Sequence, residues 1–316
     1  MSSSPDFLLY LSCLCVASLS ANSSDTISSR EPVRDSETEV SSGKSFKLGF
    51  FRPGKPASRY VGIMFNLPSP TPTVVWVANR DKPLHDSSGI VTISEYGTLV
   101  IMNGQEIVWS SSVSNSLRNT TAQLLDPGNL VLKDSSNGRV LWESFRDPTD
   151  SLLQYMKIGI DKSTNTTALM KSWRSPSVGN FSAGIQPQPI LQAFIWKNSV
   201  PYCRGVPWNK LIFIGMPGMQ SWYRSGVNLV ADNNGTIYQT FSNADQSSIL
   251  YFFLNSTGSF QTRTWDPSKK DWEVKWANPR TECDFYAKCG PFGSCNPKIS
   301  PMCSCIQGFK PKNERE

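Results

Sequence analysis

Histidine is nearly absent: His85 is the sole imidazole in 316 residues. A multi-histidine metal centre is thereby excluded, and any Ser–His or Cys–His catalysis would have to run through that one side chain. No apolar run approaches the roughly 20 residues that cross a bilayer, so no membrane span is expected. Charge is sparse, with Asp, Glu, Lys and Arg making up 18% of the chain against about a quarter in ordinary globular proteins. The net charge of +6 reads as basic residues scattered with acidic ones between them. Without a Lys/Arg block, a solvated surface is expected and no nucleic-acid partner. Apolar content is ordinary, at 39% hydrophobic residues with 21 Gly, which excludes disorder throughout. The length corresponds to about two to three domains.

At the N-terminus, Phe7 to Ala21 form an apolar stretch that ends in small residues. It has the length of a secretory leader and is too short to span a membrane. Residues 1–21 are read as a signal peptide cleaved near Ser20 or Ala21. The absence of a basic segment before it, where Asp6 is the sole charge, fits the alternative of a buried N-terminal strand. Six Asn-x-Ser/Thr acceptors follow, at Asn22, Asn119, Asn165, Asn180, Asn234 and Asn255, and would carry sugar only in the secretory pathway. Cysteine placement points the same way. Cys13 and Cys15 leave with the leader, and Cys283, Cys289, Cys295, Cys303 and Cys305 crowd into 23 residues. Such density signals disulfides in an oxidising compartment. A zinc site fits less well, because Cys303 and Cys305 are separated by one residue and no His is near.

The most informative pattern is a repeat. Val74-Val75-Trp76, Ile107-Val108-Trp109 and Val140-Leu141-Trp142 recur at intervals of 33 residues, each preceded by a Gly-led apolar run at Gly62, Gly97 and Gly128. Each unit reads as a small sheet of short strands. Three such sheets can bury apolar faces that none can bury alone, which predicts an all-β, pseudo-threefold β-prism over residues 22–150 with the Trp side chains inside. The alternative use of those Trp rings is as sugar-stacking platforms. After Asp150 the repeat stops. Alternation in Thr236–Phe241 and Ile249–Leu254, with turn signals at Asn234-Gly235 and Asn255–Gly258, predicts a second β-rich domain over 151–278. Trp222, Trp265, Trp272 and Trp276 would supply its core. Pro279 opens a disulfide-rich module over 279–316.

The motifs resemble a plant family. Asp25-Thr-Ile, Ser45-Phe-Lys-Leu-Gly-Phe-Phe51, Val74-Val-Trp-Val-Ala-Asn-Arg-Asp81, Leu141-Trp-Glu-Ser-Phe145, Asp147-Pro-Thr-Asp150 and Met170-Lys-Ser-Trp-Arg-Ser-Pro176 are similar to those of S-locus glycoproteins and S-domain (G-type, bulb-type lectin) receptor-like kinases. So are the cysteine motifs from Cys283 to Cys295 and from Cys303 to Pro311. The resemblance implies a bulb-type lectin domain, an S-locus glycoprotein domain and an EGF-like module, here incomplete. In the family a PAN domain, a membrane helix and a cytoplasmic Ser/Thr kinase follow. No Gly-rich kinase loop or His-Arg-Asp motif occurs in this chain, so no phosphate transfer is expected of it. The resemblance also implies the pairs Cys283–Cys295 and Cys289–Cys303, with Cys305 paired to a cysteine further downstream. Cys203 departs from the family pattern and reads as a buried free thiol, or as a partner for Cys305 or for another chain.

Family lectins that bind mannose carry Gln-x-Asp-x-Asn-x-Val-x-Tyr in each repeat. Near Gly128 this register retains Asn129 and Val131, whereas Leu125, Pro127 and Lys133 stand at the Gln, Asp and Tyr positions; near Gly97 only Val100 matches. Asn129 and Val131 are therefore the carbohydrate-binding candidates, in a degenerate motif whose lost donors and acceptors disfavour mannose. The expected role is extracellular recognition of a peptide or glycan in the apoplast, in pollen recognition or defence, with a homodimer or a receptor kinase as protein partner. A secreted mannose lectin is the alternative. Neither cofactor nor metal is expected, and His85-Asp86-Ser87 reads as a polar turn rather than a catalytic triad.

Overall fold

The computed structural model describes residues 25–54, 58–113, 119–162, 164–174, 177–186, 190–209, 213–214, 227–231, 233–243, 245 and 247–312. The expected leader at 1–21, Asn22 and Trp222 lie outside these residues. Among the described residues the architecture is β throughout, with helical structure limited to two 3-10 turns. Among the same residues no helix is long and apolar enough to cross a membrane.

The first unit holds β1 (Thr26–Ile27), β2 (Val33–Arg34), β3 (Thr38–Val40), β4 (Phe46–Phe51), β5 (Tyr60–Phe65), β6 (Val74–Val77), β7 (Gly89–Ile93), β8 (Leu99–Asn103), β9 (Glu106–Ser110), β10 (Thr120–Leu124), β11 (Leu130–Asp134) and β12 (Val140–Glu143). They form three four-stranded antiparallel sheets, ordered β3-β4-β5-β6, β2-β7-β8-β9 and β1-β10-β11-β12. Each 33-residue repeat makes three strands of one sheet. The N-terminal segment then lends one edge strand to each sheet in turn, so residues 26–40 tie the three repeats together.

The threefold likeness extends to single residues. Trp76, Trp109 and Trp142 lie opposite Ile63, Ile101 and Leu132, and the register slips by one residue directly after each of those aliphatics. Such a bulge tightens the local twist and recurs here in all three sheets. Ile63, Ile101 and Leu132 are fully buried. The Trp rings meet edge to face, with centroids 5.6–5.9 Å apart, each contact contributing about 0.5–1.5 kcal/mol beyond area burial. Only Trp76 is fully enclosed; Trp109 and Trp142 are half-buried. The expectation that all three Trp side chains lie in the core is thus corrected for two of them, which pack against the core while partly exposed. Within the third repeat the chain turns at glycine between β10 and β11. Gly128 has φ +88°, and a Cβ there would sit 2.9 Å from Leu153 Cδ1 and from Phe46 Cε1, so a larger residue would meet both backbone strain and a clash.

The second unit follows a related plan that the sequence did not reveal. It contains β13 (Ser151–Leu152), β14 (Ile158–Asp161), β15 (Thr166–Ala168), β16 (Met170–Arg174), β17 (Ser177–Gln186), β18 (Gln192–Lys197), β19 (Val200–Pro207), β20 (Val227–Ala231), β21 (Ile237–Phe241), β22 (Leu250–Leu254), β23 (Phe260–Asp266) and β24 (Asp271–Asn278). Again they form three four-stranded sheets. The orders β16-β17-β18-β19 and β13-β22-β23-β24 repeat β3-β4-β5-β6 and β1-β10-β11-β12, whereas the remaining sheet runs β15-β14-β21-β20. Among the described residues the Trp triad has no counterpart here. Phe241, Tyr251, Phe252, Leu254 and Met170 fill the interior, while Trp265, Trp272 and Trp276, expected as core, are half-buried.

Asp147-Pro-Thr-Asp150 clasps the two units. Trp76 Nε1 donates to the Asp147 carbonyl at 2.9 Å, and Thr149 Oγ1 to the Val75 carbonyl at 3.0 Å. On the other side the Lys171 and Leu254 amides donate to the carbonyls of Thr149 and Asp150 at 2.7 and 2.8 Å. Aromatic side chains fill the junction: Phe65 meets Tyr251 and Trp272 at 5.4 and 5.0 Å, and Trp173 meets Tyr60 and Phe51 at 5.2 and 6.0 Å. Trp272 Nε1 also donates to Thr73 Oγ1 at 2.7 Å. One hydrophobic core runs through both units.

The disulfide module has the hairpin β25 (Gly293–Cys295) and β26 (Cys303–Cys305). No described residue from 279 onward is buried, so the module has almost no apolar interior and relies on covalent staples. These are Cys283–Cys295 and Cys289–Cys303, closing loops of 12 and 14 residues. Each contributes about 3 kcal/mol by the chain-entropy estimate. The module docks on β19 through a backbone bridge between Cys203 and Phe285, the Tyr286 amide on the Tyr202 carbonyl at 2.9 Å, and the Tyr202–Phe285 ring contact at 5.1 Å.

Candidate functional site

In a prism each sheet has an inner face on the axis and an outer face open to ligand. Leu130 and Leu132 of β11 point inward, so Val131 and Lys133 point outward. Val131 lies directly between Gln123 and Glu143 in the ladder. An aliphatic floor ringed by polar side chains is the arrangement a sugar ring needs, and here it is closed. Lys133 Nζ donates to Gln123 Oε1 at 3.0 Å, and Gln123 Nε2 to Asp25 Oδ2 at 3.0 Å. Asp25 Oδ2 also accepts from Ser42 Oγ at 2.8 Å. The Gln123 bond, with those from Ser42 and Thr26, holds the Asp25 carboxyl below its ordinary range. On the other flank Asn129 Nδ2 donates to Glu143 Oε2 at 2.9 Å, and Arg146 Nε to Glu143 Oε1 at 2.7 Å.

Asn129 is therefore a bracket. Its Oδ1 accepts from Ser144 Oγ at 3.1 Å and from the Phe145 amide at 3.2 Å, and Ser144 Oγ accepts from the Leu130 amide at 2.9 Å. This network holds the 3-10 turn Ser144–Arg146 against the start of β11. Val131 is 2% exposed. The structure brings the two sugar candidates together and engages both in the scaffold, so a saccharide would reach them only by displacing bonds already made.

The corresponding positions of the other two sheets are buried as well. In the second sheet Val100 is buried between Thr92 and Ser110. In the first sheet, Phe51 and Tyr60 face each other across β4 and β5 and are covered by Trp173 of the second unit. None of these partners was visible in sequence: Asp25 and Gln123 are 98 residues apart, and Trp173 stands more than a hundred residues after Tyr60.

Asp86 does not orient His85. Its Oδ1 accepts from the Ser88 amide and hydroxyl at 2.9 and 2.6 Å, and these bonds lower its pKa. The same Asp-x-Ser turn recurs at Asp134, Asp245 and Asp266, and in Asp266 it brings the carboxyl to about 2. The most perturbed acid is Asp150, buried in the junction. Burial pushes its carboxyl up to about 7, opposed by the Ser151 hydroxyl, which donates at 3.1 Å, and by the charge of Arg80. Its place between the units makes it structural. Cys203 is fully buried beside Asn278 Nδ2, 2.9 Å from its sulfur, and burial pushes the thiol up to about 11. Neither Cys203 nor half-exposed Cys305 is in a disulfide. Cys289, Cys295 and Cys303 bring their sulfurs within 4.8 Å of one another, but all three are disulfide-bonded, so they hold no metal. Of the glycosylation acceptors, Asn119, Asn165, Asn180 and Asn234 are exposed. Asn255 is half-buried, and its Oδ1 accepts from Thr257 and Ser259 in a hairpin turn.

A family model described as D-mannose binding lectin matches residues 73–174, and one described as S-locus glycoprotein domain matches 203–313. The S-locus-specific glycoprotein S6 of Brassica oleracea is 38% identical over 304 residues, covering 93% of this chain and 69% of that protein. The chain belongs to the S-locus glycoprotein and S-receptor-like kinase family. A G-type lectin S-receptor-like serine/threonine-protein kinase of Arabidopsis thaliana is 42% identical over 294 residues, 89% of this chain but 35% of the kinase. The chain thus spans little more than a third of the kinases it matches. Among solved structures, a monomeric mannose-binding lectin from Gastrodia elata covers 38% of this chain and 96% of its own at 18% identity and TM-score 0.30. The lectin match runs past the sheet boundary at Asp150 into β16, the strand that carries Trp173. The stretch in which the family is recognised therefore includes the residue that covers the first outer face.

Proposed function

We propose that this chain is an extracellular recognition module of the S-domain type, engaging a peptide or glycan ligand of the apoplast rather than mannose at the lectin motif. The observation that carries this reading is that the polar groups around Val131 are engaged in the scaffold and that the first outer face is covered by the unit fused to it. A protein that retained mannose pockets would keep its hydroxyl-reading groups free. Secretion through the 1–21 leader, N-glycosylation at Asn119, Asn165, Asn180, Asn234 and Asn255, and an EGF-like character for residues 279–316 belong to the same proposal. So do a role in pollen recognition or defence and pairing with a second copy or a receptor kinase.

The test is a glycan array probed with the purified chain beside capture from pollen-coat and apoplastic fractions. The expected result is no mannose signal and retention of a peptide or acidic glycan. The lectin family model favours the second reading, a secreted mannose lectin, and a saturable mannose signal abolished by Asn129→Ala would establish it instead. Digestion with peptide N-glycosidase should shift the mobility of the secreted protein; an unchanged band would remove the glycosylation proposal.

A further inference from the structure

Between Asp161 and Asp232 the sequence holds 70 residues with no Asp or Glu and seven Lys or Arg. Elsewhere the chain has 24 basic and 25 acidic residues, so this stretch supplies the entire positive excess. The even interspersion of charge expected from the sequence fails here. The same stretch contains β16 to β19, one complete sheet of the second unit.

Register places the charges. Lys171 lies opposite Ser182, Ser182 opposite Trp196 and Trp196 opposite Pro201; in the next row Gly184 lies opposite Phe194 and Phe194 opposite Arg204. Cross-strand partners share a face, and Met170, Ala183, Ile195 and Cys203 on the opposite face are buried in the core. Lys171, Trp196, Phe194 and Arg204 therefore stand together on the outer face. The Phe194 and Trp196 rings are stacked with centroids 5.5 Å apart, and Tyr286 of the disulfide module continues the row 6.3 Å from Phe194. Trp196 is half-buried, Tyr286 is exposed and Phe194 is buried between their rings, and Lys171 and Arg204 are exposed, with no ion pair to either among the described residues. The two cations stand on the outer strands of the sheet, one row apart and so about 16 Å from each other at the usual strand spacing and rise, with the aromatic row between them.

We propose that this face binds an acidic oligosaccharide, a chain of uronate rings. Apolar ring faces stack on Trp196 and Tyr286, with Phe194 packed beneath them, while the Ser182 hydroxyl and the cations at both margins meet hydroxyls and successive carboxylates. A neutral glycan leaves the two cations unused, and an acidic peptide leaves the ring faces unused. This deepens the reading of the chain as an apoplastic recognition module and rests on it for biological meaning. The titration below uses purified protein and reports on the face alone, whereas that reading stands or falls on secretion and ligand capture.

The test is calorimetric titration of the full chain with a galacturonate decamer, a neutral galactan of equal length and a glutamate decapeptide. The expected affinity for the galacturonate is at least roughly tenfold above that for either comparator. Trp196→Ala and Arg204→Gln should each weaken it roughly tenfold. Arg139→Gln, which removes one exposed charge from the lectin prism, should leave it unchanged. Near-UV circular dichroism checks the fold of each variant, and Trp196→Phe, which preserves a ring, should recover most of the binding. No saturable binding, equal binding of the peptide, or equal weakening by Arg139→Gln would each overturn the proposal. Asn180 is exposed two residues from Ser182 on the same strand, so Asn180→Gln is titrated too; binding confined to that variant also refutes it.

Discussion

Replacing Asp150 by Asn isolates the energetics of the junction between the two units. In the folded chain burial lifts this carboxyl from 3.8 to about 7. The folded state therefore holds a proton that the unfolded chain releases between about pH 4 and 7. An acid with a raised folded pKa stabilises relative to its ionised form at low pH and destabilises as pH rises. Across that window the protein should lose up to about 4 kcal/mol, the free energy of a shift of this size. Asn keeps the shape and polarity of the protonated acid but cannot ionise. Asp150→Asn should raise stability near pH 4.5 by only about 1 kcal/mol and at pH 8 by about 2–4 kcal/mol, roughly 4–16 °C in Tm. The acids held below their ordinary pKa, Asp25, Asp86, Asp134, Asp245, Asp266 and Glu273, act in the opposite sense. Their contribution is lost only as pH falls through their lowered folded values, below the window. Thermal melts of wild type and variant at pH 4.5, 6 and 8 check the argument. A wild-type Tm that is flat from pH 4.5 to 8, or a variant offset equal at all three pH values, would refute it.

Further predictions concern the prism and the cysteines. Trp76→Ala should destabilise by about 3–5 kcal/mol as a buried aromatic truncation, and Trp109→Ala by clearly less because its ring is half-exposed; urea denaturation ranks the two. Asn129→Ala should cost about 1–3 kcal/mol by orphaning Ser144 and the Phe145 amide, again read by denaturation, and leave ligand capture unaltered. Under native conditions iodoacetamide should label Cys305 and spare Cys203, whose thiol is buried and pushed up to about 11; peptide mass spectrometry that finds Cys203 alkylated first would contradict the packing. Reduction should release the disulfide module to protease while both prisms stay resistant, which limited trypsinolysis resolves.

The candidate sugar site shows how sequence and structure divide the information. The motif letters place Asn129 and Val131 on a strand near a turn, and that much is local. Whether they face a ligand depends on Gln123, Asp25, Glu143 and Ser144, which meet them only after β1, β10, β11 and β12 have paired. The same holds for the acid-free, basic sheet of the second unit: its composition is plain along the chain, but its role as a face follows from register.

By itself, the sequence determined the all-β class, the prism of the first unit and the cysteine module. The 33-residue Trp repeat, the alternating runs and the crowded cysteines are periodicities and densities along the chain, and short strands express them directly. Tertiary structure alone decided that the second unit repeats the prism plan, because its core uses unmatched Phe, Tyr and Leu side chains in place of the Trp triad. It alone decided that Trp173 covers the first outer face, that Asp150 is sealed in the junction and that Asn129 is a bracket. Each of those outcomes depends on contacts between residues far apart in the chain, whose meeting is set by how three sheets close around an axis and not by any pattern within one of them.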